Sequence, residues 1–226
     1  MASTPAGQTK IGFLHTTPKT IPMVDDLLAR YMPDARTFNF LDDAVKIANF
    51  DAPIGETPKE NLLRWAKYAR YLEQQGCSAV LSCCSLMPQA TEYAKQVLNV
   101  PMVQMDAPAV DKAIEHKRIG VIGTVERASF YLKGEIERKT ALLGKTVELD
   151  YRINADAWGY FSRNEIEAHD EIVLADIKKM DDSDVDCILL AQIPLGLLED
   201  RALAMGLKKP LYCAGKLSFD WVKQNI

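Results

Sequence analysis

Three apolar runs in the first half of the chain recur, in the same order, in the second. KIGFLHT at residues 10–16 matches RIGVIGT at 118–124, an offset of 108. CSAVLSCCS from Cys77 matches DCILLAQIP from Asp186, and VPMVQMD with Pro101 matches KPLYCAG with Pro210, both at 109. One match between short apolar runs carries little weight. Three at a nearly constant spacing in 226 residues imply two similar halves of about 108 residues each.

The runs are continuously apolar, as strands are when a parallel sheet is covered on both faces. Helix signals lie between them. Thr57-Pro58-Lys59-Glu60 reads as an N-cap, a proline at the first helical position and a capping-box glutamate, and the helix that follows ends at Gly76. Further helices are expected over 88–98, 126–143, 163–179 and 197–205, the second of these ending at Gly144. Strands alternating with helices give the α/β class, with two pseudo-symmetric parallel-sheet domains. The expected domains are 1–105 plus 205–226, and 106–204. The tail is expected to return to the first domain because Pro210–Ala214 repeats the Pro101 strand.

Composition narrows the partners. Lys and Arg total 27 against 31 Asp and Glu, a net charge of −4, which offers nothing to attract nucleic acid or an anionic membrane. No 18-residue apolar run is present, and the opening MASTPAGQTK lacks the apolar core of a signal peptide. The five cysteines are odd in number, form no CxxC and lie mostly in strand-like runs, so reduced thiols in the cytoplasm are expected. His15, His116 and His169 share no metal-ligand spacing with the cysteines, and the acidic run Asp181, Asp182, Asp184 reads as a solvated helix end. No metal is expected. Gly12 and Gly120 form no GxGxxG, and no Walker A sequence occurs.

In α/β sheets ligands bind beyond the carboxyl ends of the strands. The residues there are His15 and Thr16, Cys83-Cys84-Ser85, Asp106, Gly123 and Thr124 with Arg127 just beyond, and Gln192. The repeat equates Thr16 with Thr124 and, at an offset of 109, Cys83 with Gln192. Two such half-sites facing each other across an interdomain cleft would grip a small anion. Cys77, Cys187 and Cys213 lie inside or at the start of strands and read as small buried hydrophobes. Cys83 and Cys84 differ, because a strand-to-helix turn brings backbone N–H groups and a helix dipole that favour a thiolate. His15 reads either as a base or as a loop histidine bonded to backbone, and Arg127 either as a carboxylate partner or as a solvated arginine.

The strings KIGFLHTTP, GCSAVLSCCS, VPMVQMDAPAV, RIGVIGT and DCILLAQIP, in this order over nearly the whole chain, resemble the aspartate/glutamate/hydantoin racemase superfamily, which includes maleate isomerase and arylmalonate decarboxylase. The resemblance implies two pseudo-symmetric α/β domains, no cofactor, a small carboxylate or oxo-acid substrate bound in the cleft, and two cysteines acting as acid and base from opposite faces. A homo-oligomer is compatible with it. The first family cysteine falls on Cys83 and the second on Gln192, within Leu190-Ala191-Gln192-Ile193. Arylmalonate decarboxylase retains the other cysteine of the pair. Arg127 stands where the family usually has a second threonine.

Inversion at a carbon needs a base on one face and an acid on the other. A glutamine amide supplies neither, though it can donate a hydrogen bond to a carboxylate or enediolate oxygen. The expected function is therefore that of a cofactor-independent racemase- or isomerase-family enzyme working through the Cys83 thiolate. Alternatives are a decarboxylase of the arylmalonate type and a non-catalytic small-anion-binding protein.

Overall fold

The computed structural model describes residues 8–226, so the reading of the opening segment falls largely outside the described residues. Two compact units emerge, one comprising residues 8–105 with Phe219–Ile226, the other Asp106–Ser218.

The first unit holds β1 (Lys10–His15), α1 (Thr20–Tyr31), β2 (Arg36–Leu41), α2 (Asp43–Asp51), α3 (Lys59–Gln74), β3 (Ala79–Ser82), α4 (Pro88–Lys95) and β4 (Met102–Gln104). Its sheet has the order β2-β1-β3-β4, with every pair parallel. The second unit holds α5 (Ala107–Ala113), β5 (Arg118–Gly123), α6 (Glu126–Leu142), β6 (Glu148–Ile153), α7 (Ala155–Ser162) and α8 (Ile166–Asp181). It continues with β7 (Cys187–Leu190), a 3-10 turn at Ile193–Leu198, α9 (Glu199–Ala204) and β8 (Leu211–Tyr212). The second sheet, β6-β5-β7-β8, is also all parallel and repeats the first position for position. Helix α10 (Lys216–Asn225) begins in the second unit and continues into the first.

Burial on both sheet faces explains the continuous apolar runs. Along β7, Ile188 and Leu190 pack with Val173, Ile177 and Met180 of α8. Cys187 and Leu189 point the other way, toward Ala109 and Ala113 of α5 and Leu132 and Ile136 of α6. The repeated glycines have a shared steric role. A Cβ on Gly12 would lie 2.9 Å from the Leu72 side chain of α3, and one on Gly120 would lie 2.5 Å from Met180 of α8. In each half a helix presses on the inner strand at the equivalent residue.

The ladders correct the sequence match by one residue. Ile11 pairs with Ala79 and Ile119 with Cys187, so β1/β5 and β3/β7 both repeat at 108. Just beyond, the Cys83 N–H donates to Leu14 O and the Ala191 N–H to Ile122 O, each at 2.8 Å. Cys83 therefore corresponds to Ala191, and Cys84 to Gln192. The offset reaches 109 only at the next strand, where Val80 pairs with Met102 and Ile188 with Leu211. The extra residue lies between β7 and β8.

Other expectations also change. Residues 205–218 stay in the second unit because β8 pairs with β7, and the chain rejoins the first unit only at Phe219. Thr57 does not cap α3: Pro58 is extended at the helix entry, the Thr57 N–H donates to Gln89 Oε1 at 3.2 Å, and the Thr57 hydroxyl is buried without a partner. The segment 163–179 becomes α8 preceded by the separate α7, and 197–205 splits between the 3-10 turn and α9. Asp181 is buried rather than solvated, accepting from the backbone N–H groups of Lys208 at 2.8 Å and Lys209 at 3.1 Å. Burial opposes its charge, but these donors and Lys178 hold the carboxyl below its usual range. It fixes the approach to β8.

Gly196 sets a sharp limit on the second unit. A Cβ there would stand 1.9 Å from the Ala214 carbonyl oxygen, so the 3-10 turn touches the chain after β8 through bare backbone. Gly196→Ala is expected to destabilise by about 1–3 kcal/mol or more through overpacking. Gly134→Ala, inside α6 with nothing within 4 Å of the new Cβ, is expected to stabilise by about 0.5–1 kcal/mol. Urea unfolding of the two variants checks both signs.

Candidate active site

In the first unit β3 leads into Cys83 and Cys84, both buried, followed by the half-buried Ser85 and then Pro88 at the start of α4. The Cys83 Sγ lies 3.8 Å from Leu81 O and 3.8 Å from Met105 Sδ. Two buried amides bond the turn after it, and a third braces one of them. Gln104 of β4 donates through Nε2 to the Cys84 carbonyl and accepts at Oε1 from the Thr91 hydroxyl at 2.8 Å. Asn49 of α2 donates to Leu86 O at 3.2 Å, while Asn61 of α3 donates to Asn49 Oδ1 at 2.7 Å and to Val45 O at 3.0 Å. All four side chains are buried, so they fix the turn in a low-dielectric setting where an unmade bond would be costly. Sequence reasoning missed Asn49, Asn61, Thr91 and Gln104. Their signal was present, since two asparagines sit on the apolar faces of helices that otherwise disfavour them.

His15 closes β1 and is fully buried. Its Nε2 lies 2.9 Å from Asn39 Oδ1 on β2, and its Nδ1 lies 2.8 Å from the Thr20 hydroxyl at the start of α1. Burial pushes its pKa below 6.5, against the opposing effects of the Asn39 bond and the Asp25 charge. In a neutral ring Nε2–H donates to Asn39, while the one Thr20 hydroxyl proton is shared between His15 Nδ1 and the Thr17 carbonyl oxygen at 3.0 Å. His15 thus has both ring nitrogens engaged inside the unit, tying the end of β1 to β2 and to the start of α1. Its partners are side chains, not backbone. Thr16 itself is buried at the strand end.

In the second unit the matching strand ends carry Gly123, Thr124 and Gln192. The Gln192 Oε1 accepts three hydrogen bonds: from Thr124 N at 2.6 Å, from the Thr124 hydroxyl at 3.0 Å and from Val125 N at 3.3 Å. Because two of these donors are backbone N–H groups, the oxygen end of the amide must face them. Gly123 leaves room for Ser129, whose Oγ would be 2.6 Å from an added Cβ, and its carbonyl accepts from Asn154 N at 2.9 Å. Arg127 is half-buried in the first turn of α6. Asp106 is buried at the head of α5, where its carbonyl accepts from Ala109 N and Val110 N. The structure thus groups Gln192 with Thr124 in one unit, and Cys83, Cys84 and Ser85 in one turn of the other.

None of the five cysteines is in a disulfide. Burial pushes the Cys77 thiol up to about 11, that of Cys187 up to about 12, and that of Cys213 well above its ordinary value. These three remain neutral packing groups near neutral pH. Among the described residues no group of three or more His, Cys, Asp or Glu side chains is arranged to hold a metal ion, and no helix is long and apolar enough to cross a membrane.

The depressed His15 pKa has a thermodynamic consequence. Below pH 6.5 the unfolded chain takes up a proton that the folded state refuses, so stability falls as pH drops below 6.5, levelling at the lower folded value. His15→Gln removes this contribution. Its stability is expected to decline less than that of the native chain between about pH 7.5 and about pH 5.5, as read by urea midpoints.

Comparison with known proteins follows this geometry. The Asp/Glu/Hydantoin racemase family model matches residues 16–216. Among solved structures, the Picrophilus torridus aspartate racemase is 17% identical with a TM-score of 0.69, covering 96% of this chain and 94% of that one. The Thermus thermophilus glutamate racemase, solved with β-chloro-D-alanine, is 20% identical with a TM-score of 0.66, covering 96% and 80%. The Klebsiella pneumoniae allantoin racemase is 14% identical with a TM-score of 0.66, covering 96% and 87%. No curated protein sequence matches. With two parallel α/β sheets of identical strand order and a family match across most of its length, the chain belongs to the Asp/Glu/Hydantoin racemase family.

Proposed function

We propose that the protein is a cofactor-independent enzyme of the isomerase class that uses the Cys83 thiolate on a small carboxylic acid. The observation that carries this reading is the difference between the two matching strand ends. After β3 the chain offers thiols in a turn fixed by Gln104, Asn49 and Asn61. After β7 it offers Ala191 and an amide already bonded to Thr124.

A single thiolate has two economical uses. It can add to one carbon of an activated C=C bond, placing the electron pair on the conjugated carboxylate as an enediolate. Rotation about the resulting single bond and expulsion of the thiolate then give the other geometric isomer, with no net change in protons. The amide at Gln192 favours a second use. Loss of CO₂ from a substituted malonate breaks a C–C bond and leaves an enediolate, to which the Cys83 thiol delivers its proton from one side; water then reprotonates the Cys83 thiolate, and the hydroxide so formed combines with CO₂ as bicarbonate. In either use Thr16 and Ser85 of the first unit are the proposed carboxylate donors, each hydrogen bond to a charged group contributing about 1.5–3 kcal/mol. Five unbridged cysteines agree with a reducing compartment.

Cys83→Ala is expected to lower turnover by at least about 10³-fold with little change in stability, while Cys84→Ala retains most activity. The assay is proton NMR of unsaturated and malonate acids in deuterated water. Isomerisation should proceed without carbon-bound deuterium, and decarboxylation should place deuterium on one face only. Activity that survives in Cys83→Ala and vanishes in Cys84→Ala would assign the chemistry to Cys84, the ladder counterpart of Gln192. Exchange of the α-proton in both enantiomers of aspartate or glutamate would overturn the one-sided reading.

A further inference from the structure

Gln192 is 6% exposed, and its carboxamide is used at one end only. Oε1 is surrounded by the Thr124 N–H, the Thr124 hydroxyl and the Val125 N–H, at 2.6, 3.0 and 3.3 Å. Nε2 has no hydrogen-bond acceptor among the described residues. Three donors converging on one oxygen, directly before the 17-residue helix α6, are the surroundings a carboxylate oxygen seeks. Here a neutral oxygen of the chain's own already fills them. We propose that Gln192 is a specificity-determining residue: its amide oxygen closes the Thr124–Val125 donor nest to a ligand carboxylate, and its Nε2–H is the group presented in its place.

The ligand's chemical class follows, given the proposed reading of a small-acid enzyme. The end of the ligand that meets Gln192 is a hydrogen-bond acceptor that gains little from carrying a charge, such as a carbonyl or carboxamide oxygen. A carboxylate reaching this place would meet one neutral N–H₂ group in exchange for three converging donors, so it would gain little from its charge. Cys84 occupies the corresponding ladder position in the first unit, and a thiol side chain has no amide oxygen with which to do the same to the Thr16 loop.

The test uses binding and stability, so it does not depend on whether Cys83 carries the chemistry. Thermal unfolding of the full chain is followed with malonate and with its monoamide, at constant ionic strength, for the native protein, Gln192→Ala and Gln192→Ala combined with Thr124→Val. The native protein should discriminate between the two probes by less than about threefold in apparent affinity. Gln192→Ala should bind malonate at least about tenfold more tightly than the native protein does, and the added Thr124→Val should reduce the gain by removing one of the three donors, as expected for a charged group bonded to this donor set. An unchanged malonate response in Gln192→Ala, or a tenfold native preference for malonate, would overturn the proposal.

A second variant guards against a failure to fold. In Gln192→Glu the nest receives a carboxylate of nearly the same shape, so the midpoint should be at least that of the native chain near pH 7.5. Because the three donors hold that carboxyl below its unfolded value of about 4.3, the added stability should be lost as pH falls through the lower folded value. A midpoint below the native one at neutral pH would show that the nest does not receive an anion, and the proposal would fall. Loss of activity in Cys83→Ala with no effect of Gln192→Ala on probe binding would leave the catalytic reading standing and this one refuted.

Discussion

Parallel pairing to one inner strand governs the arrangement of each unit. β1 is bonded on one side to β2 and on the other to β3, and β5 likewise to β6 and β7. Parallel register forces all the carboxyl ends to one edge of each sheet, which is why His15, Thr16, Cys83 and Cys84 come together in one unit, and Thr124 and Gln192 in the other. Inner strands must also tolerate helices on both faces. Gly12 and Gly120 meet that demand by giving up side chains where Leu72 and Met180 press in. A change in strand register would therefore disturb packing and the strand-end groups together.

The two halves have diverged most where the sheet ends and chemistry begins. Their inner strands repeat closely, yet His15 stands where the second half has Gly123, and Cys84 stands where it has Gln192. Each of these residues is tied into its own loop. His15 bridges Thr20 and Asn39, and Gln192 draws in Thr124 and Val125. The strand ends are thus shaped by internal hydrogen bonds, and the groups left outward are those the bonds do not consume.

The sequence made the inner strands legible because they are buried on both faces and must be continuously apolar. The edge strands β2 and β6 escaped notice: RTFNFL and ELDYRI have a partner on one side only and mix charged with apolar residues. Matching of apolar strings found the repeat, but it could not resolve a one-residue shift, since CSAVLS against DCILLA reads nearly as well one place along. Only the ladder bonds from Cys83 and Ala191 fix that register. The strand-end residues themselves were readable from position. Their bonding was not, because Gln192 reaches Thr124 across 68 residues and His15 reaches Asn39 across 24.

Helix α10 has a bearing on the order in which the protein can assemble. Its first residues belong to the second unit, whereas Phe219 and Val222 are fully buried in the first, Phe219 lying with its ring centroid 6.4 Å from Phe13 and 6.0 Å from Tyr31. Phe13 is part of the first strand made during synthesis. The ring that completes its surroundings is made some two hundred residues later, after the whole of the second unit. The first unit therefore cannot complete its core until residues 219–225 have been made, after every strand of the second unit.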